Sequence, residues 1–332
     1  MSSPPVTSSA MERTIEASAP GIGVAPLPRR IAARLDARLV IALAAVWVLW
    51  GSTFAGMRFA VATMPPFVMA SARFFIAGAI LYAICVVRGK ARPTRDDLVR
   101  ATVTGASLLV LGNGVTAWTV QYLPTGINSL LLSLSPVFMA IIAFAWGRER
   151  PTRLAVIGMV LGFAGLGLLL QPKATSAIPL WPAILSLLAS VAWSFGSIYQ
   201  RRAGKSGSLV LATALQMLVG GVLLAIEAAL FGQWQSLDVH AIAAASWGGF
   251  VWLVIFGSLF GYSAYLYTMQ AANTALASTY AYVNPIVAVI LGMVLFHERF
   301  TPLEALASAI ILIGVALMMV PRRTAPARTI RA

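Results

Sequence analysis

Few residues in this chain could carry out covalent chemistry. Its histidines are His240 and His297, its one cysteine is Cys85, and its ten acidic residues all fall in tails, loops or helix ends. A nucleophile needs a base beside it and a metal needs clustered ligands. Groups this scattered assemble neither, so no catalysis is expected, and no metal, cofactor or internal disulfide either. The polar residues that remain suit reversible binding. Arg73 is the only charge well inside an apolar run, and an intramembrane arginine is a functional-site hypothesis by default. No acid lies at matching depth, so its candidate partners are helix-end carbonyls, a hydroxyl or the carboxylate of a substrate. Its length would also let it snorkel to the membrane interface.

Helical spacing gathers the neutral polar residues into stripes. Ser186, Ser190, Trp193 and Ser197 are spaced 4, 3 and 4 residues apart, and Ser258, Tyr262 and Tyr265 are spaced 4 and 3. Asn128 with Ser135, Ser129 with Ser133, and Ser278, Tyr282 and Asn284 add two more stripes. A lipid-facing surface has no use for them. Each could join neighbouring helices, but four together favour a shared polar cavity. Trp146, Trp181, Trp234 and Trp247 lie near run ends, where the interfacial belt explains them. Trp50 and Trp193 lie near mid-span, and buried indoles and phenols need partners for their polar atoms. Pro136 and Pro285 each remove a backbone hydrogen bond and clash with the carbonyl four residues earlier, at Leu132 and Ala281. Inside lipid such a break belongs where backbone faces protein or water. The candidate substrate-contact set is Trp50, Ser52, Asn128, Ser135, Ser190, Trp193, Ser197, Tyr262, Tyr265, Tyr282 and Asn284. Arg73 is the candidate carboxylate contact, and Pro136 and Pro285 are candidate hinges.

The elements that must hold these residues are membrane helices. Hydrophobic residues make up 59% and charged residues 10% of the 332 positions, against roughly 25% charged in soluble domains. Ten apolar runs predict spans near 39–61, 66–87, 98–120, 125–146, 153–171, 180–200, 209–231, 246–268, 274–296 and 302–320. The net charge of +14 does not point to nucleic acid, because its distribution follows the membrane. With the N-terminus inside, twenty of the 24 Lys and Arg residues fall on cytoplasmic segments, which makes both termini cytoplasmic.

The chain also repeats itself. A shift of 149 residues superimposes Gly112 on Gly261, Pro136 on Pro285, Glu149-Arg150 on Glu298-Arg299, Thr152 on Thr301 and Gly165 on Gly314. Upstream, a shift of 143 places Trp50 on Trp193, Arg58 on Arg201, Arg73 on Gln216 and Gly78 on Gly221. Five spans per unit is an odd number, so the second unit enters the membrane from the opposite side and the repeats are inverted. The expected organisation is a cytoplasmic tail over 1–38, repeats over 39–171 and 172–320, and a basic tail over 321–332. Residues 1–28, rich in Ser, Pro and Ala with no apolar core, read as disordered rather than as a signal peptide.

Through Trp50-Gly51-Ser52, Arg73, Pro136, Glu149-Arg150, Gly165, Trp193, Pro285, Glu298-Arg299 and Gly314, the chain resembles the drug/metabolite transporter superfamily from about residue 39 to 320. Within it, the chain is similar to the ten-helix branch of two EamA repeats, and among those to YddG-type exporters of aromatic and other amino acids. The resemblance implies an all-α integral membrane fold, two inverted five-helix repeats around a central cavity, in a bacterial inner membrane. It implies an alternating-access carrier that exports amino acids or related metabolites, as a monomer or homodimer in the lipid bilayer. A multidrug or toxic-compound exporter of the same fold is the alternative. A channel would need charge rings or a carbonyl filter, and an intramembrane enzyme would need the paired nucleophile and base that this chain lacks.

Overall fold

The computed structural model of the chain describes residues 37–89, 92–146, 151–171, 179–202, 208–271 and 279–320. The segments 1–36 and 321–332, which hold most of the two expected tails, lie outside the described residues, as do Glu149, Arg150 and Ser278. Among the described residues the structure is all helical apart from turns. The helices are α1 (Ala37–Ala60), α2 (Pro66–Val87), α3 (Arg95–Thr119), α4 (Thr125–Ala145), α5 (Arg153–Leu169), α6 (Leu180–Arg202), α7 (Leu209–Leu230), α8 (Ala244–Ala271), α9 (Tyr280–Phe296) and α10 (Pro302–Met318). Seven of them are long and apolar enough to cross a bilayer. The other three, α5, α9 and α10, have 17 residues each within the described segments. At 1.5 Å per residue that is about 25 Å, near the lower limit for spanning.

Local chemistry sets several boundaries. Thr152 and Thr301, equivalent under the repeat, both act as N-caps: their hydroxyls accept from Ala155 N at 3.1 Å and Glu304 N at 3.2 Å. The Glu304 carboxylate accepts in return from Thr301 N, which completes a capping box at the start of α10. Ser208 caps α7 through Leu211 N. Within the bundle, α2 lies along α7, α5 along α10, and α1 against α8 and α9. Gly78 of α2 faces Ala214, Met217 and Leu218 of α7, while Gly221 of α7 faces Phe75 of α2. A Cβ on either glycine would come within 2.8 Å of a backbone nitrogen across the interface, so both keep the pair close.

Two departures from uniform α-helix shape the interior of the bundle. α4 is interrupted: one half runs Thr125–Leu132 and the other Ser135–Ala145, with Ser133 and Leu134 forming a turn between them. The sequence predicted a single run over 125–146. The chain also widens into π-helical turns at Gly105–Gly114 in α3 and Leu253–Phe260 in α8. These segments overlap under the 149-residue shift, and π segments concentrate at functional sites. The small-residue face of α5 is taken up inside the chain. Gly158 meets Gly314 and Met318, Gly162 meets Leu134 and Val137, and Gly165 meets Ala307 and Ile311.

Candidate functional site

A cavity with about 930 Å³ of empty space, part of it open to solvent, lies among α1, α2, α3, α4, α6, α8 and α9. From α1 come Trp50, Thr53, Phe54 and Met57, whose spacing puts them on one helical face. α2 contributes Arg73 and Phe74; α3 contributes Leu109, Gly112, Asn113 and Thr116; and α4 contributes Ser129, Leu132, Ser133 and Ser135. Across from them stand Trp193 of α6, Gly257, Ser258 and Tyr262 of α8, and Tyr280, Ala281, Asn284 and Pro285 of α9.

The two mid-span tryptophans are seated reciprocally. A Cβ on Gly112 would lie 3.1 Å from the Trp193 ring, and a Cβ on Gly261 would lie 2.7 Å from the Trp50 indole nitrogen. Each ring therefore rests on a repeat-equivalent glycine of the opposite half, inside or next to a π segment. The Trp50 indole N–H donates to the Gly257 carbonyl at 3.2 Å. The carbonyl equivalent to it, that of Leu108, is instead faced by the Asn113 amide nitrogen at 3.4 Å. Trp193 is left with no acceptor for its N–H among the described residues. Trp50 also centres an aromatic cluster, with ring centroids 5.8 Å from Tyr262, 4.9 Å from Tyr265 and 5.3 Å from Tyr280.

Arg73 is 6% exposed and turns inward rather than to the interface. Its Nε donates to Ser258 Oγ at 3.0 Å and its guanidinium lies 4.7 Å from the centroid of Phe74. No carboxylate faces it within ion-pair distance among the described residues. Four of the cavity hydroxyls direct their protons elsewhere. Thr53 donates to Trp50 O, Thr116 to Gly112 O, Ser129 to Gly126 O and Ser133 to Leu130 O. Such back-bonding commits the proton to the helix and leaves lone pairs for the cavity.

The fold thus encloses a polar, aromatic chamber between two halves of one chain, and both halves match a single family. The EamA-like transporter family matches over residues 37–171 and again over 180–320. This chain belongs to that family. It is 35% identical to the Uncharacterized inner membrane transporter YedA of Escherichia coli (strain K12), over 87% of this chain and 93% of that protein. It is 24% identical to the Uncharacterized transporter YvbV of Bacillus subtilis, over 83% of this chain and 89% of the other. Identity is 26% to the WAT1-related protein At3g02690, chloroplastic, of Arabidopsis thaliana, over 82% and 67%. A solved crystal structure superimposes with a TM-score of 0.60 at 19% identity, covering 85% of this chain and 96% of that one, and bears on the fold alone. Membership in a transporter family assigns the chain to membrane transport, not to catalysis.

Within this EamA-family chain, the sequence-selected residues separate. Trp50, Arg73, Ser135, Trp193, Tyr262, Asn284 and Pro285 line the cavity. Tyr265 stands behind the lining, against Trp50 and Tyr262. Asn128, fully buried, belongs to a knot that ties α3, α4 and α6. Its Nδ2 donates to Thr119 Oγ1 at 3.2 Å, and Ser186 Oγ donates to its Oδ1 at 2.9 Å. Ser190 Oγ reaches the Leu132 carbonyl at 3.3 Å, the one that Pro136 deprives of its helical partner. Ser197 donates to Trp193 O on its own helix. Ser52 accepts from the Trp252 indole at 3.0 Å in a separate apolar groove between α1, α8 and α9. Asn128, Ser190, Ser197 and Ser52 are not among the lining residues. Tyr282 packs against the core cluster that includes Leu131 and Ile311, and Pro136 is not among the lining residues.

Sequence reasoning left out Thr53, Phe54 and Met57, although their spacing from Trp50 was readable. It could not have found Asn113 or Gly257, whose position depends on the π turns. The Glu298 carboxylate clamps a helix end across the two halves. Its oxygens accept from Thr125 N at 2.6 Å and Gly126 N at 3.2 Å, the N-terminus of α4, and pair with Arg58 at 3.4 Å. His297 turns through the left-handed region, φ 52°, to aim it, and Gly292 has no Cβ to overlap it.

Proposed function

We propose that this chain is an alternating-access carrier of a bacterial inner membrane, exporting aromatic and other neutral amino acids or related small metabolites. In this reading ten helices form two inverted five-helix repeats, both termini are cytoplasmic, and the substrate site is the central cavity. Trp50, Trp193 and Tyr262 supply stacking surfaces, Ser135 and Asn284 polar contacts, Arg73 a carboxylate contact, and Pro285 the hinge, with Pro136 at a joint tied to α6. The cavity is complete within one chain, so a monomer or a homodimer would serve equally.

The observation that carries this reading is the reciprocal seating of Trp50 on Gly261 and Trp193 on Gly112. Rocking one half against the other changes both contacts at once, which is what a carrier with a site between repeats requires. The mutual packing of Gly78 and Gly221 supports the inverted relation. The basic residues on cytoplasmic segments support the orientation, and the E. coli relative, named as an inner membrane transporter, supports the location. The aromatic cluster around Trp50 supports an aromatic substrate. A multidrug exporter would use the same aromatic wall, but Arg73 repels the hydrophobic cations typical of that role.

Counterflow in proteoliposomes tests the proposal. Vesicles loaded with unlabelled amino acid should accumulate labelled phenylalanine, tryptophan, threonine or methionine saturably, and an organic cation should not accumulate. Changing Trp193 or Tyr262 should abolish the signal. Absence of counterflow for every amino acid, with or without a pH gradient, would remove the amino-acid reading.

A further inference from the structure

Among the described residues the cavity has one formal charge and no counter-charge. Arg73 is more than nine-tenths buried and lines the chamber, and of its five N–H donors only Nε has a protein acceptor among the described residues. A buried cation without a partner is costly. The Trp193 indole N–H, which also lines the chamber, has no acceptor among the described residues. Of the lining serines and threonines, Thr53, Thr116, Ser129 and Ser133 direct their protons to their own helices and offer neutral lone pairs.

A ligand that completes such a site brings acceptors and one negative charge. A zwitterion would leave the chamber at a net positive charge, since its ammonium meets only neutral oxygens there. A monocarboxylate anion brings the chamber to neutrality. We infer that the site recognises an organic monocarboxylate through Arg73, and that the carboxylate is the required group while an α-amino group is dispensable. This rests on the reading of the central cavity as the substrate site, and it narrows the substrate class to aryl or alkyl monocarboxylic acids. Arg73 is the specificity-determining residue, with the Trp193 N–H as a second donor.

Three compounds that share one skeleton test this on the unaltered protein. Labelled phenylalanine counterflow is challenged with 3-phenylpropionate, which lacks the amino group, and phenethylamine, which lacks the carboxylate. 3-Phenylpropionate should compete at least as well as unlabelled phenylalanine, and phenethylamine at least about tenfold less well, the loss expected when one charged anchor is removed. Arg73→Gln should erase that preference, Arg73→Lys should keep part of it, and both should elute as folded, monodisperse protein. Equal competition by phenethylamine, or an unchanged preference in Arg73→Gln, would overturn the inference and leave the carrier standing. The same compounds are added to detergent-purified protein in a thermal-unfolding assay. If phenylalanine gives no counterflow but 3-phenylpropionate stabilises the wild type and not Arg73→Gln, the amino-acid reading fails and the carboxylate anchor stands. No stabilisation by any carboxylate overturns the anchor as well.

Discussion

Proline stands at equivalent points of α4 and α9, yet the backbone handles the two residues differently. In α4 the helix stops at Leu132, turns at Ser133 and Leu134, and restarts at Ser135, so Pro136 occupies the first turn of a new helix, where proline is well accommodated. Two carbonyls at the break are approached from α6: Ser190 reaches Leu132 O, and Ser194, whose hydroxyl also reaches Ser190 O of its own helix at 2.7 Å, lies 2.9 Å from Ser135 O. At its far end the first half of α4 is held by Glu298. In α9, Pro285 lies inside a helix that runs unbroken from Tyr280 to Phe296. The α1 residues equivalent to Ser190 and Ser194 are Trp47 and Gly51, and neither carries a hydroxyl. No side chain donates to the Ala281 carbonyl among the described residues, and Ala281 lines the cavity. One proline marks a secured joint and the other an open one. Repeat-equivalent residues thus diverge in role when the neighbouring helix changes its side chains.

Removing the clamp should have the largest effect. Glu298→Ala strips two helix-end N–H groups and Arg58 of their acceptor, so thermal unfolding in detergent should show a loss of about 2–4 kcal/mol. Glu298→Gln should keep part of that. Wild-type stability in the alanine variant would mean that α4 is not held there. The prolines divide next. Pro285→Ala supplies the partner that the Ala281 carbonyl lacks and should slow counterflow about tenfold, about 1.4 kcal/mol on the barrier. Pro136→Ala should stay within about twofold of wild type, since each residue of that break is already tied. Equal effects would erase the contrast.

Smaller effects probe the same joint. Ser194→Ala should cost about 0.6–1.7 kcal/mol of stability, the range for interhelical hydrogen bonds in membranes. Ser190→Ala, with the longer bond, should cost less. Neither should alter the concentration dependence of transport. Last, Trp50→Phe removes the bond to Gly257 O and should lower stability by about 1 kcal/mol. Trp193→Phe should leave stability nearly unchanged and weaken substrate competition instead. Stability lost equally in both would mean that the Trp193 N–H is satisfied within the protein.

Some of this was legible without coordinates. Membrane helices follow from apolar runs, because a bilayer leaves the backbone no other partner than itself. The duplication follows from fixed shifts between Pro136 and Pro285 and between Trp50 and Trp193. Arg73 declared itself by sitting alone in an apolar run. Which polar residues face the cavity was not legible, because every stripe satisfies the same spacing rule whether it lines a chamber or joins two helices. Asn128 and Ser190 are glue, and Asn284 and Ser135 line the chamber. Spacing alone would have ranked them alike. Side-chain hydrogen bonds reach only about 3 Å, so the partner that decides each role is set by which helix lies beside it. That neighbour comes from helix packing and from the π turns that rotate α3 and α8. The residue types settled which positions could bind, and the packing of α6 on α4 and α1 on α9 decided which of them were left free to do so.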